Sequence, residues 1–189
     1  MNELSSEYRS RIEALHRQLN MPASFVRTCK MPLQAEASDL VSSEPDVFDR
    51  EQRMTAATLA CWQNMKAAAQ MVDIDLQIVS AFRSVEYQCE LLKNKLAKGQ
   101  NIDAILLVNA APGYSEHHTG RAIDITTAGC EPLSEAFENT AAFRWLQSNG
   151  KRFDFSLSYP RDNSLGIVYE PWHWACQRSV TSHDLSAPK

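Results

Sequence analysis

The spacing of apolar residues predicts a chain of alternating helices and short strands. Near the N-terminus they recur at helical intervals, at Leu4, Tyr8, Ile12, Leu15 and Leu19. This pattern predicts an amphipathic helix over the first twenty residues. Residues 21–48 lose the period and contain three prolines, so we expect an irregular segment wrapped on the body of the domain.

A long core helix is predicted over about residues 50–72. Asp49 and Gln52 resemble a capping box, which would start the helix at this point. The residues that then share one helical face are Met54, Thr58, Cys61, Trp62, Met65, Ala69 and Val72. Such a continuous apolar face is typical of a helix packed against a core.

Two strands are predicted next. Residues 76–82 are rich in β-branched and aromatic side chains, and Ser84 can cap a following helix that Gly99 ends, so Arg83 lies at a strand-to-helix corner. Residues 120–126 alternate in polarity. Because successive strand residues face opposite ways, we expect the isoleucines of this strand to face the core and Asp124 the other side.

The C-terminal half completes an α+β pattern. A helix is predicted over 140–148, followed by strands within 153–159 and 170–176. We therefore expect one α+β domain in which a small antiparallel sheet carries the functional cleft and packs against helices. Residues 1–75 would form an N-terminal helical and irregular segment, and residues 76–189 the core.

Composition narrows the class of protein. The chain has 189 residues, 44% of them apolar and 22% charged, with a net charge of −4. That is enough for one soluble domain, and the lack of a strongly basic face argues against nucleic acid as a partner. The sequence predicts no membrane span, and the first twenty residues contain no unbroken apolar core of a signal peptide. We therefore expect a cytoplasmic protein.

Five histidines and five cysteines could build either a metal site or a disulfide framework. The cysteines are odd in number, widely spaced and never in a CxxC pair, so we expect reduced and mostly buried thiols. His16 and His183 have no neighbouring carboxylate or glycine cluster and are expected to be structural or solvated. The metal hypothesis therefore rests on His117, His118 and His173.

These histidines lie in two polar segments. Gly113 and Gly120 bracket Tyr-Ser-Glu-His-His-Thr, with Asp124 on the strand that follows, and the second segment is Glu-Pro-Trp-His at 170–173. Two imidazoles and a carboxylate suit zinc with an open fourth position. Glu170 would be the proton acceptor, provided that a bend at Glu170–Pro171 turns it into the same cleft as His173.

Three segments, in this order, resemble the zinc D-alanyl-D-alanine carboxypeptidases of the VanY type. They are Ser-Ala-Phe-Arg-Ser at 80–84, Ser-Glu-His-His-Thr-Gly-Arg-Ala-Ile-Asp at 115–124 and Glu-Pro-Trp-His at 170–173. The similarity spans about residues 76–176. The combination of SxHxxGxAxD with ExWH is more specific than either motif alone.

The resemblance implies one zinc ion held by His117, Asp124 and His173, with Glu170 as general acid and base. His118 competes with His117, and only the family spacing separates the two. Arg83 would stabilise the oxyanion, while Gln88, Ser115 and Tyr159 are candidate substrate contacts. The non-catalytic interpretations are a surface salt bridge for Arg83, a solvated helix position for Gln88 and a half-buried strand residue for Tyr159.

The resemblance further implies metal-assisted hydrolysis that releases a C-terminal D-amino acid from a peptidoglycan-derived peptide. For a cytoplasmic enzyme the favoured substrate is a tetrapeptide muropeptide in cell-wall recycling, which makes it an L,D-carboxypeptidase. A D,D-carboxypeptidase acting on pentapeptides and a D-Ala-D-Ala dipeptidase are the alternatives. A zinc- or peptidoglycan-binding module without turnover is the alternative of another class. The oligomeric state is not predicted.

Overall fold

Six α-helices, three short 3₁₀ helices and six strands form residues 4–178, as described by a computed structural model. His183 and residues 179–189 of the predicted core lie outside this description. In chain order the α-helices and strands are α1 (Ser6–Gln18), α2 (Phe25–Thr28), β1 (Val41–Ser42), β2 (Arg53–Met54), α3 (Ala56–Gln70), β3 (Gln77–Ser80), α4 (Val85–Ala97), α5 (Ile102–Val108), β4 (Ala122–Thr126), α6 (Ala141–Asn149), β5 (Phe155–Leu157) and β6 (His173–Cys176).

The central sheet has four antiparallel strands in the order β3-β4-β6-β5. Strand β4 is completely buried, and its Ile123 and Ile125 belong to a core cluster with Trp62 of α3 and Leu146 of α6. The predicted orientation of this strand is therefore confirmed. Asp124, between the two isoleucines, faces the other side of the sheet, where the functional cleft lies.

A second core cluster contributes Tyr159 and Ile167 to the lining of this cleft. It joins α1, α4 and α5 through residues such as Ile12, Leu92 and Ile105. The predicted first helix is confirmed: Ser5 caps α1, and His16 is buried with Nε2 2.9 Å from the Pro112 carbonyl. The predicted α+β class is also confirmed, since a small antiparallel sheet packs against helices.

Residues 34–55 contact the histidine-bearing segment directly. The backbone N–H groups of Gln34, Ala37 and Thr55 donate to the carbonyls of Gly113, His118 and Gly120, respectively. These contacts support the loop that carries His117. Residues 21–48 were predicted to be irregular, and they are so apart from α2 and the two-residue strand β1.

The predicted capping box at Asp49 and Gln52 is wrong. Asp49 has a positive φ of 60°, Gln52 instead donates to the Asp46 carboxylate, and residues 53–54 form β2. Helix α3 starts at Ala56 with Thr55 as its cap and ends at Gln70. The motif failed because the Asp46 carboxylate accepts the backbone N–H groups of Phe48 and Arg50, which makes a turn instead of a helix start.

The region after β3 contains one helix that was predicted, α4, and one that was not, α5. Helix α4 begins after Ser84 and Gly99 follows its end, as expected.

All five cysteines lie within the described residues and are free, three of them buried. Within residues 4–178, no helix is long and apolar enough to cross a membrane.

Candidate metal centre and substrate cleft

The sheet register brings the first two candidate ligands together. Asp124 of β4 pairs directly with His173 of β6, and His173 Nδ1 lies 3.1 Å from Asp124 Oδ1. His117 belongs to a short 3₁₀ helix, Glu116–Thr119, and its backbone N–H donates to the hydroxyl of the capping residue Ser115. Ligand atoms of His117, Asp124 and His173 all lie within 4.8 Å of one another, and all three residues are buried.

The ring of His117 is oriented by the strand-to-helix corner. Its Nδ1 lies 2.6 Å from the Ala81 carbonyl oxygen, which can only accept, so Nδ1 carries the proton. Nε2 then presents its lone pair to the cleft, 3.2 Å from Asp124 Oδ2. Burial lowers the pKa of His117 to about 4, which keeps the ring neutral as a metal ligand requires.

His118 has a different role, because both of its ring nitrogens are used elsewhere. Nδ1 donates to the Arg83 carbonyl at 2.6 Å, and Nε2 accepts from the Gly113 N–H at 3.1 Å. His118 is buried and fixes the position of the Arg83 backbone. Of the two adjacent histidines, only His117 faces Asp124 and His173.

His173 contacts a carboxylate that sequence reasoning did not single out. Its Nε2 donates to Glu116 Oε2 at 2.9 Å, which leaves Nδ1 facing Asp124 and, at 3.7 Å, Glu170 Oε2. Burial opposes a charge on His173, but hydrogen bonds with Asp124 and Glu116 outweigh it and raise the pKa of the ring. The only sequence signal for Glu116 was its place beside His117, since a lone glutamate is otherwise typical of a solvated surface.

The donor set fits zinc. Two imidazole nitrogens and one carboxylate are a common catalytic zinc set, which leaves a position for water or substrate. Within residues 4–178, His117 Nε2 is one of two buried side-chain polar atoms without a hydrogen bond. Three acidic side chains, Asp124, Glu116 and Glu170, surround His173, so a divalent cation would also balance the local negative charge.

Glu170 lies beside this cluster, with Oε2 3.7 Å from His173 Nδ1, and turns toward it as predicted. Its N–H donates to the Tyr159 carbonyl, and its own carbonyl accepts from the His173 N–H, which closes a turn over Pro171 and Trp172. Burial is the main cause that raises the pKa of Glu170 to about 7, and Asp124 and Glu116 add to it. A carboxyl group with such a pKa can both accept and donate a proton near neutral pH.

Arg83 faces the same cluster from the corner between β3 and α4. Its Nη2 lies 3.7 Å from Asp124 Oδ2, and its Nη1 donates to Gln88 Oε1 at 3.2 Å. Gln88 is buried and donates to the Ala110 carbonyl, so it orients the arginine and is not a solvated helix position. Arg83 Nε is the other buried polar atom without a hydrogen bond among the described residues.

These side chains enclose a cavity of about 40 Å³. Its lining includes all the predicted site residues except Asp124, namely Arg83, Gln88, Ser115, His117, Tyr159, Glu170 and His173. Tyr159 is buried, and its ring centre lies 4.7 Å from that of His173. Burial raises the pKa of Tyr159, so its hydroxyl stays neutral. The structure thus brings every predicted site residue to one cleft.

Comparison with known proteins finds carboxypeptidases that are similar to this chain. YodJ of Bacillus subtilis strain 168, a protein named as a carboxypeptidase, is 33% identical over 86% of this chain and 62% of its own. The LD-carboxypeptidase LdcB is 31% identical with a TM-score of 0.68, over 77% of this chain and 71% of its own. A vancomycin resistance D,D-pentapeptidase VanY in complex with Zn(II) is 27% identical with a TM-score of 0.59, over 77% and 82%.

The family model also covers the cleft. The chain spans less than two thirds of the length of YodJ. Residues 51–177 match the model of VanY, D-alanyl-D-alanine carboxypeptidase, and this range includes all eight predicted site residues. The chain therefore belongs to the VanY family of D-alanyl-D-alanine carboxypeptidases.

Proposed function

We propose that the protein is a zinc-dependent carboxypeptidase that releases a C-terminal D-alanine from peptidoglycan stem peptides. The observation that carries this proposal is the buried cluster of His117, Asp124 and His173 with Glu170 3.7 Å from His173 Nδ1. One zinc ion held by the first three residues would polarise the scissile carbonyl and make water more acidic. The small cavity beside this cluster, about 40 Å³, favours a small terminal residue such as alanine.

Protein side chains would transfer the protons, stabilise the oxyanion and contact the substrate. Glu170 accepts the proton of the attacking water and passes it to the departing amine, for which a pKa of about 7 is suitable. Arg83, held by Gln88, donates to the carbonyl oxygen as negative charge develops on it. Ser115 and Tyr159 line the cavity, where they would contact the leaving residue.

Within this activity we favour L,D-specificity, which means cleavage of tetrapeptides between an L-centre and the terminal D-alanine. The higher identity and TM-score of the LD-carboxypeptidase LdcB, compared with the D,D-pentapeptidase VanY, support this choice. Processing of muropeptides in the cytoplasm during wall recycling is the role that we propose for such an activity. D,D-cleavage of pentapeptides is the second candidate, because VanY has the same fold.

Mass spectrometry of released D-alanine tests both levels of the proposal. Stem tetrapeptide and pentapeptide are incubated with the zinc-loaded protein, with the chelator-treated protein, and with the chelated protein after zinc is restored. We expect zinc-dependent release from the tetrapeptide and little from the pentapeptide. Release from the pentapeptide alone would replace L,D- with D,D-specificity. Zinc binding without release from either peptide would indicate a binding module.

A further inference from the structure

A second cleft adjoins the candidate active site and meets it at Arg83. This arginine cleft has a volume of about 380 Å³ and is lined by residues 50–53, by Ser80, by residues 82–84 and by Tyr87. Arg83 is the one residue that lines both this cleft and the 40 Å³ cavity. A larger cleft near α2 shares no lining residue with the active site. The arginine cleft is therefore the neighbouring space that shares a side chain with the site.

Because the two spaces differ in size, different parts of a peptide substrate would occupy them. The inner cavity of about 40 Å³ has room for one small side chain. A peptide whose terminal residue occupies it, and whose carbonyl lies near Arg83, must place its preceding residues outside. The arginine cleft is open, almost ten times larger and starts at the same arginine.

The arginine cleft is locally cationic in a chain with a net charge of −4. Three arginines line it, Arg50, Arg53 and Arg83, against one acid, Glu51. Arg50 is occupied, since its Nε lies 2.7 Å from Asp46 Oδ2 and its Nη2 donates to the Val79 carbonyl. Glu51 accepts a hydrogen bond from Ser42.

Of these three arginines, Arg53 is the one with no anionic partner among residues 4–178. Its guanidinium carbon lies 5.7 Å from the ring centre of Phe82, and its side chain forms no ion pair with another residue of 4–178. The backbone of Arg53 is fixed, because it pairs with Ser42 and its carbonyl accepts from the Phe82 N–H at 3.0 Å. A side chain whose backbone is fixed, and whose guanidinium forms no ion pair among the described residues, is suited to binding a ligand anion.

We propose that Arg53 binds a carboxylate on the part of an acidic peptide substrate that precedes the scissile bond. This inference rests on the proposed function, because it concerns the substrate of the same site. Guanidinium groups bind carboxylates through paired hydrogen bonds. In a peptidoglycan stem peptide, the glutamate and diaminopimelate residues carry such carboxylates ahead of the terminal D-alanine. Phe82 and the exposed Tyr87 supply flat walls beside them.

The test compares two stem tetrapeptides that differ only in these carboxylates. One carries them as free acids and the other as amides, and both keep the free terminal carboxylate of D-alanine. We measure kcat/KM for each with zinc-loaded wild-type protein and with Arg53→Gln, Arg53→Lys and Arg17→Gln. Arg17→Gln is the matched control, because it removes the same charge from an exposed residue of α1 that lines neither cavity.

We expect wild-type protein to prefer the acidic peptide on the order of tenfold. Arg53→Gln should bring this ratio close to one, Arg53→Lys should keep part of it, and Arg17→Gln should keep all of it. An unchanged ratio in Arg53→Gln, or no preference in wild-type protein, would overturn the inference. Failure of the proposed function looks different, since zinc-dependent release would then be missing with both peptides.

Discussion

Glu116 accepts a hydrogen bond from Nε2 of His173 at 2.9 Å, on the side of the ring away from Asp124. The bond determines which nitrogen of His173 is free to bind a metal, because Nε2 must carry a proton to donate it. A histidine ligand whose second nitrogen donates to a carboxylate binds metal more tightly than one without such a partner. Glu116 is therefore a positioning residue for the metal centre.

Removal of this carboxylate should weaken zinc binding. We expect Glu116→Ala to raise the Kd for zinc on the order of 10- to 100-fold, and Glu116→Gln to raise it less, because an amide oxygen still accepts the hydrogen bond. Competition with a chromophoric chelator measures the Kd without reference to activity. Glu131→Gln, a change at an exposed glutamate, is the control. Equal zinc affinities for wild-type protein and Glu116→Ala would disprove the positioning role.

Arg83 should affect turnover and not the metal. Its guanidinium lies 3.7 Å from Asp124 but belongs to no ligand set, and its backbone is held between the carbonyl of His117 and the Nδ1–H of His118. We expect Arg83→Gln to lower kcat on the order of 10²- to 10³-fold, as the loss of an oxyanion donor does, while zinc content stays unchanged. Metal analysis and steady-state kinetics of the same preparation separate the two. Loss of zinc in this variant would assign Arg83 a structural role instead.

Asp46 connects the N-terminal segment to the site and should stabilise the fold. The side chain of Asp46 is fully buried and accepts a hydrogen bond from the Gln52 side chain. The Gln52 side-chain oxygen accepts from the Ala81 N–H, and the Ala81 carbonyl lies against Nδ1 of His117. Burial would raise the pKa of Asp46, but hydrogen bonds from the Arg50 and Phe48 backbone and from the Arg50 side chain outweigh it and lower the pKa. We expect Asp46→Asn to reduce the free energy of unfolding by about 1–3 kcal/mol at pH 7.

This loss should depend on pH with a definite sign. Because the folded pKa of Asp46 lies below the unfolded value of about 3.9, its charge stabilises the protein above that pH, and the contribution disappears as pH falls through the folded pKa. Urea unfolding at pH 7 and at pH 3 should therefore show a smaller difference between wild-type protein and Asp46→Asn at the lower pH. A difference that grows on acidification would contradict this account.

Gly120 ends the 3₁₀ helix of His117 in a conformation that other residues avoid. Its φ is +64°, and an added Cβ would lie 2.8 Å from Leu40 Cδ2 and 3.3 Å from the Thr55 backbone nitrogen. We expect Gly120→Ala to cost about 1–2 kcal/mol for the backbone conformation and further energy for the contact. Gly99→Ala is the matched control, since Gly99 has a φ of +81° but no atom within 4 Å of its Cβ position. Equal losses of stability in the two variants would rule out the contact.

The elements whose pattern is local were predictable from the sequence. The alternation of 120–126 placed Asp124 on the face opposite Ile123, and Ser84 marked the start of α4. Other features depend on contacts made across the chain. The turn at Asp49 follows from Asp46, Arg50 and Gln52 acting together, and α5 buries only Ile105, so neither has a clear local signal.

Within the site, the family motif located the candidate ligands, but distances were needed to separate the roles of neighbours. His117 and His118 are adjacent in sequence, yet their rings point to Asp124 and to Arg83. Glu116 was overlooked because its partner His173 is 57 residues away. The arginine cleft is equally non-local, since it combines the turn before β2 with the corner before α4.

The central claim is that His117, Asp124 and His173 hold one zinc ion while Glu170 transfers protons. The most direct measurement determines zinc content and D-alanine release together in Glu170→Ala and His173→Ala. We predict that Glu170→Ala keeps its zinc but loses turnover on the order of 10²-fold or more, whereas His173→Ala loses both. Zinc-loaded Glu170→Ala that releases D-alanine at the wild-type rate would contradict the account.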